Sequence, residues 1–383
     1  MKVLLLTCNT GMGHNSAAKA IEETLREAGV ACDTLDFLKL ISDKAASFIC
    51  NWHTRIYRHA PKAFATGYSL AEAYSGLLSR QGGAYGSLAR GVGRLHLHLQ
   101  NGRYDVVVCA HTFAAMMMTR LRNRYGVDAA TYFVATDYTC SPPAGETDLD
   151  GYFIPHPGLM EEFVACGLPR HKLIATGIPV RPAFYERVEK RTAKALLGLP
   201  SDKRNVLLMC GSMGCGPIEE LTERLADLLP ADTVLSVICG TNEKLRHSLA
   251  KANRENVLTF GYTKEIPLFM DSAELFLTKP GGISISEAAA KRLPMVLIDA
   301  VGGCEKYNLA YFTGHGWAKT ADTPASIARC CADLLGSPTE LASCAARLED
   351  LGEGKAAERI LAHLLVAPAQ AEYPLQMARG SGN

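Results

Sequence analysis

The chain has 383 residues, 48% of them hydrophobic and 21% charged, with a formal net charge of +1. That length can bury two cores of ordinary size, and the composition excludes a disordered, fibrous or collagen-like chain. Near-neutrality gives no global pull towards nucleic acid, and the 13 cysteines, with no C-x-x-C pair or zinc-type Cys/His spacing, read as reduced thiols in the core.

In chain order, "KVLLL" (2–6) reads as a strand, followed by a helix near 15–28 that stops at Gly29 and by "VACDTLDF" (30–37). Further runs of the same kind are "YDVVVCA" (104–110), "AATYFVAT" (129–136) and "GYFIPH" (151–156). A second series holds "NVLLMCG" (205–211), "TVLSVICG" (233–240), "VLTFGY" (257–262), "AELFLTKP" (273–280) and "MVLID" (295–299). Strands apolar on both faces and separated by helices describe parallel sheets covered on both sides, so the expected class is α/β with two doubly wound, Rossmann-like domains. The boundary is placed after "ATGIPVRPAF" (175–184), giving domains 1–182 and 183–352, with a C-terminal helix and frayed tail over 353–383. The run from Met1 lacks a signal-peptide pattern, and the longest apolar stretch (106–118) is too short to span a bilayer. A cytoplasmic protein is the expectation.

Residues 51–104 carry seven Arg or Lys, among them Arg55, Arg58 and Lys62, against one acid, Glu72, with aromatics interleaved. They read either as a solvated helical face or as a surface for anionic lipid. No nucleic-acid motif accompanies them.

In open parallel sheets ligands bind beyond the carboxyl ends of strands, and several informative stretches fall there. In "TGMGHNS" (10–16), Gly13 precedes His14 at a helix start, where positive potential disfavours imidazolium and keeps the ring able to accept a proton. The alternative is that Asn15 or Ser16 caps the helix and His14 merely packs. "CGSMGCG" (210–216), with Gly211, Ser212, Gly214 and Gly216, suits a loop whose amides cradle a diphosphate, or an ordinary tight turn. In "TKPGGISISEAAAKRLPMVLID" (278–299), Gly281 and Gly282 form a turn, and Ser284-x-x-Glu287 has the form of a capping box. A carboxylate at 287 is equally placed to accept both hydroxyls of a ribose. "GGCEKYN" (302–308) offers Glu305 and Asn308 at a further strand end. Asp148-Leu149-Asp150 has the D-x-D form of metal-dependent sugar transferases but precedes a strand, so it is expected away from the ligand side.

The pattern KPGG-x3-SEA-x5-LP followed by G-x-E-x2-N resembles the donor half of the family of monogalactosyldiacylglycerol synthases and processive diacylglycerol glucosyltransferases (family 28 glycosyltransferases). The G-x-GH turn, "ATDY" (135–138), "TGIPV" (176–180) and "FGYTKEIPLFMDSAELFLTKPGG" (260–282) are similar in the same order, so the resemblance covers nearly the whole chain. A more distant likeness is to the peptidoglycan enzyme that adds N-acetylglucosamine to lipid I.

The resemblance implies a GT-B arrangement of two domains facing across a cleft. It implies an inverting transfer of a hexose from a UDP-sugar to a lipid hydroxyl such as that of diacylglycerol. His14 falls on the proposed base, Glu287 on the ribose-binding acid, Glu305 and Asn308 near the donor sugar, and Gly261 and Tyr262 where backbone groups contact uracil. His111 matches a family histidine, either an acceptor contact or structural, and Asp137 falls on the acceptor side. The chain departs from the family after the T-D pair, where "TDYTCSPPAGETDLD" has neither the His nor the Trp of many members, and at Cys304, where a glutamine is common. No metal or other cofactor is expected, and docking on the inner face of an anionic membrane is. Two other readings share the pattern: a UDP-sugar epimerase and a non-catalytic nucleotide-sugar sensor.

Overall fold

The structure, a computed structural model, describes residues 1–9, 12–41, 83–298, 303–351 and 355–371. The first half is a parallel sheet of β1 (Lys2–Thr7), β2 (Ala31–Asp36), β3 (Val106–Cys109), β4 (Ala130–Val134), β5 (Gly151–Ile154) and β6 (Leu173–Ala175), in the order β2-β1-β3-β4-β5-β6. Its helices are α1 (Met12–Glu27), α2 (Phe37–Ile41), α3 (Gly83–Gly102), α4 (Thr112–Tyr125) and α5 (Met160–Ala165). Burial explains the strands' composition. In β1, Leu4 and Leu6 enter one core while Val3 and Leu5 enter another on the opposite face, so both faces must be apolar.

The second half repeats the architecture with β7 (Arg204–Met209), β8 (Thr233–Ile238), β9 (Val257–Phe260), β10 (Leu275–Thr278), β11 (Met295–Leu297) and β12 (Lys319–Thr320), ordered β12-β11-β10-β7-β8-β9. Around it lie α6 (Lys190–Leu197), α7 (Ile218–Leu228), α8 (Glu243–Ala252), α9 (Ile266–Ser272), α10 (Gly282–Ala290), α11 (Cys304–Gly314), α12 (Pro324–Gly336) and α13 (Pro338–Arg347). The last helix, α14 (Ala356–Ala371), returns to the first half, where Ile360 and Leu364 pack with Val3, Leu5 and Ile21.

Strand order reverses between β1 and β3 in one sheet and between β7 and β10 in the other, which places a crevice at each carboxyl edge. One continuous apolar core joins the halves, running from Leu4 and Phe133 to Ile283, Phe312 and Trp317. The turn at Pro182–Phe184 touches both α1 and α10. The two crevices therefore open towards each other.

Candidate functional site

His14 stands at the first crevice. Helix α1 begins at Met12, so His14 lies inside its first turn. Asn15, also inside the helix, exchanges hydrogen bonds with Thr7 and Asn9 instead of capping it. His14 Nδ1 lies 2.8 Å from the carbonyl oxygen of Ala110 and 3.1 Å from Thr136 Oγ1. A carbonyl only accepts, so Nδ1 carries the proton and Nε2 keeps its lone pair. Burial lowers the imidazole pKa, opposed chiefly by the charge of Asp137. A neutral ring of fixed tautomer is what a proton acceptor requires. His111 meets it edge-on at 4.5 Å between centroids, and its own Nδ1 accepts from Phe113 N at 3.1 Å, capping α4. His111 is thus a helix cap that also walls the His14 ring.

The segment after β4 joins the halves. Gly282, the first residue of α10, lies against the backbone there: a Cβ on it would sit 2.0 Å from Thr136 O. Its N–H faces the Asp137 carboxylate and favours its charged form, and the carboxylate accepts from Asn308 Nδ2 at 2.8 Å. Asn308 further donates to Pro280 O at 2.9 Å and accepts from Tyr138 N at 2.6 Å, while the Tyr138 hydroxyl meets Ser286 Oγ at 3.0 Å. Burial raises the pKa of Asp137; the Asn308 hydrogen bond and the charge of His14 oppose the rise. Gly13 abuts Ile283 of α10, 3.6 Å from where its Cβ would be.

At the second crevice, Gly211, Gly214 and Gly216 all have positive φ. Gly214 admits no side chain, because a Cβ would lie 2.1 Å from Cys239 O. The loop is fixed from the neighbouring strand end by Thr241 N donating to Ser212 O at 2.9 Å and by Asn242 Nδ2 donating to Gly214 O at 2.9 Å. Across from it, Lys279 pairs with Glu305 at 3.2 Å, both largely buried. Helix α10 starts at this edge with Gly281 as N-cap and no side-chain cap, so the capping box expected from Ser284 and Glu287 does not form: Ser284 is already inside the helix. Glu287 lies one turn further along, buried, its carboxylate without a hydrogen-bond partner among the described residues. Desolvation pushes its pKa up to about 8, with Arg181 opposing.

Two expected positions lie on the flank of this crevice. Gly261 follows β9 beside Glu243 and Arg246, and Tyr262 is exposed. Arg55, Arg58 and Lys62 lie outside the described residues. Asp148 and Asp150 sit at the start of β5, where Lys172 pairs with Asp148 and Asp150 binds Arg122 and Thr131. Among the described residues no cluster of three or more His, Cys, Asp or Glu side chains is arranged to hold a metal. Sequence reasoning missed Thr136, Arg181 and Lys279. Thr136 and Lys279 stand inside motifs that were read and Arg181 directly after one, with no further signal to mark them.

Comparison with known proteins places this geometry. Residues 14–180 match the family model of monogalactosyldiacylglycerol (MGDG) synthase, and residues 199–348 match that of glycosyl transferases group 1. A processive diacylglycerol beta-glucosyltransferase of Bacillus cereus is 30% identical over 328 residues, covering 83% of this chain and 81% of that protein. The enzyme of the same name from Staphylococcus saprophyticus is 28% identical, over 89% and 86% respectively. Solved structures of similar fold include MurG of Acinetobacter baumannii (TM-score 0.61, 13% identity, 94% of this chain and 98% of that one). Anabaena HepE in complex with UDP and glucose is another (0.57, 12%, 97% and 100%). A putative UDP-N-acetylglucosamine 2-epimerase of Listeria monocytogenes scores 0.63 at 14% identity over 97% and 98%. Transferases and an epimerase thus share the fold.

Proposed function

Since the chain belongs to the family of MGDG synthases and processive diacylglycerol glucosyltransferases, we propose that it transfers a hexose from a UDP-sugar to the hydroxyl of diacylglycerol. The observation that carries this reading is His14: a neutral imidazole with Nδ1 held by Ala110, placed where the two crevices meet. Its Nε2 takes the acceptor's hydroxyl proton while the oxygen attacks the anomeric carbon, and the bond to UDP breaks. General-base assistance of this kind contributes about 10²–10⁴ in rate. Attack from the face opposite UDP inverts the anomeric centre. That agrees with the β-glucosyl product in the relatives' names, UDP-glucose being α-linked.

The diphosphate charge that develops on the leaving group falls to the amides of the 211–216 loop and the start of α10, with Lys279 behind them. Glu287 accepts from the ribose hydroxyls. We extend the reading to catalysis without a metal, because Asp148 and Asp150 are engaged at the opposite edge of the first sheet. No helix among the described residues is long and apolar enough to cross a membrane. A lipid acceptor still requires the enzyme to meet a bilayer, and the basic stretch at 51–104 supports docking on an anionic surface.

The test offers a panel of UDP-sugars, UDP-glucose first, with diacylglycerol and with excess chelator, and identifies the product by mass. Acceptor-dependent UDP release with a hexosyl-diacylglycerol product is expected. Interconversion of the UDP-sugar with little UDP release would establish an epimerase instead, and loss on chelation restored by Mn²⁺ or Mg²⁺ would overturn the metal-free reading.

A further inference from the structure

Asn308 is committed to the contact between the halves. Its side chain is fully buried, at 0% exposure. The amide has two hydrogens, and both are used, one on Asp137 Oδ1 at 2.8 Å and one on Pro280 O at 2.9 Å. Its oxygen accepts from Tyr138 N at 2.6 Å. No hydrogen of the amide remains for a sugar hydroxyl. Pro280 and Asn308 belong to the second half, Asp137 and Tyr138 to the first, so a single side chain fixes the segment after β4 against the turn before α10.

We propose that Asn308 is a positioning residue that couples the seating of the two halves to the placement of the Asp137 carboxylate beside His14, and that it does not contact the sugar. The inference rests on the transferase reading above. The groups acting on Asp137 are Asn308, His14, Glu305 and the Gly282 N–H. Glu305 is itself paired with Lys279, and His111 adjoins His14. The Asn308 donor and the Gly282 N–H that faces the carboxylate both lie across the cleft. An open cleft takes both away and admits water, so the charge of Asp137 is screened and no longer held beside His14. The imidazolium formed as His14 takes a proton thus has a held counter-charge only while the halves are seated. Proton transfer is thereby tied to the state that excludes water.

The test compares the parent, N308A and N308D, using calorimetry with UDP and with UDP-glucose and turnover on dioleoylglycerol in mixed micelles. A parent that turns over no acceptor overturns the transferase reading, and this proposal falls with it. With an active parent, N308A is expected to keep Kd for both ligands within about twofold while kcat drops about tenfold or more, the pattern of lost positioning. In N308D the new carboxyl still accepts from Tyr138 but faces Asp137 with like charge. A shared proton restores the donor, so its activity relative to the parent rises as pH is lowered. UDP-glucose affinity that falls while UDP affinity holds, at unchanged kcat, marks a sugar contact and overturns the proposal, as does parent-like kcat in N308A. Should N308A fail to fold, D137N decides. It keeps the shape and removes the charge, so kcat should fall and the acid limb of its pH profile should move to lower pH as His14 loses its counter-charge. An unmoved limb overturns the proposal.

Discussion

His14 Nδ1 and the carbonyl oxygen of Ala110 stand 2.8 Å apart, a contact between the first turn of α1 and the end of β3 across 96 residues of chain. The carbonyl fixes both the tautomer and the plane of the ring, so Nε2 keeps the lone pair that the proposed base role requires. Since β1 and β3 are hydrogen-bonded neighbours flanking the point where strand order reverses, the sheet itself sets this contact.

Replacing His14 with Ala should leave UDP affinity nearly unchanged and lower turnover at least about a hundredfold, the scale of a lost general base. Steady-state kinetics beside UDP calorimetry check it. Full activity in H14A would remove the base assignment.

With Glu287 at the ribose as proposed, UDP affinity and stability should both depend on pH. Its pKa rises from 4.5 to about 8, so between those values the unfolded chain ionises while the folded one stays protonated. Folded-state stability therefore declines as pH rises through that window and levels off above it. E287Q escapes the decline, so its stability advantage should grow from about pH 4.5 to about pH 8 and then stay flat, reaching a few kcal/mol at most at about 1.4 kcal/mol per pH unit. The ionised carboxylate is the better acceptor for two hydroxyls, so parental UDP binding should strengthen as pH rises through about 8. Replacement by Ala should weaken it by about 1.5–3 kcal/mol. Thermal melts and UDP titrations across pH provide the check, and pH-independent UDP binding in the parent would contradict the assignment.

Gly282 to Ala introduces a methyl where Thr136 O already stands, at 2.0 Å. The start of α10 must then withdraw from the segment after β4, at a cost of about 1–3 kcal/mol typical of overpacking. Turnover should fall sharply while the second half keeps its fold. Unchanged kcat in G282A would mean that the close seating of the two halves is not needed for the reaction.

Vesicle binding tests the basic stretch. At about 1 kcal/mol per engaged basic group near an anionic surface, losing three groups should reduce partitioning about a hundredfold. Sedimentation with vesicles containing phosphatidylglycerol should show binding that weakens with salt and on changing Arg55, Arg58 and Lys62 together to Ser. Equal binding to neutral and anionic vesicles would mean that these charges form only a solvated face.

The central strands were legible because burial on both faces leaves continuous apolar runs such as residues 106–109 and 206–209. The edge strands β6 and β12 were not: "LIA" and "KT" are too short to form such a run, and β12 is exposed. The start of α1 was placed too late because its first residues, Met12 and Gly13, read as loop. Position was legible where a motif follows a strand: His14 and Asp137, read after β1 and β4, do stand beside each other. The engagement of Asn308 with Asp137 could not be read, since it spans 171 positions and depends on how the two halves sit. Likewise no local pattern told that Glu287 lies within α10 and not at its cap.

The return of α14 to the first sheet has a temporal meaning. Ile360 and Leu364 are wholly buried against strand β1 and helix α1, whose packed residues, Val3 to Leu25, are synthesised 335 to 361 residues earlier. The second half has all its strands by residue 320, before that closing helix is made. The half that carries His14 is therefore begun before the second half and completed after it, and helix α1 receives its full support only once α14 is made.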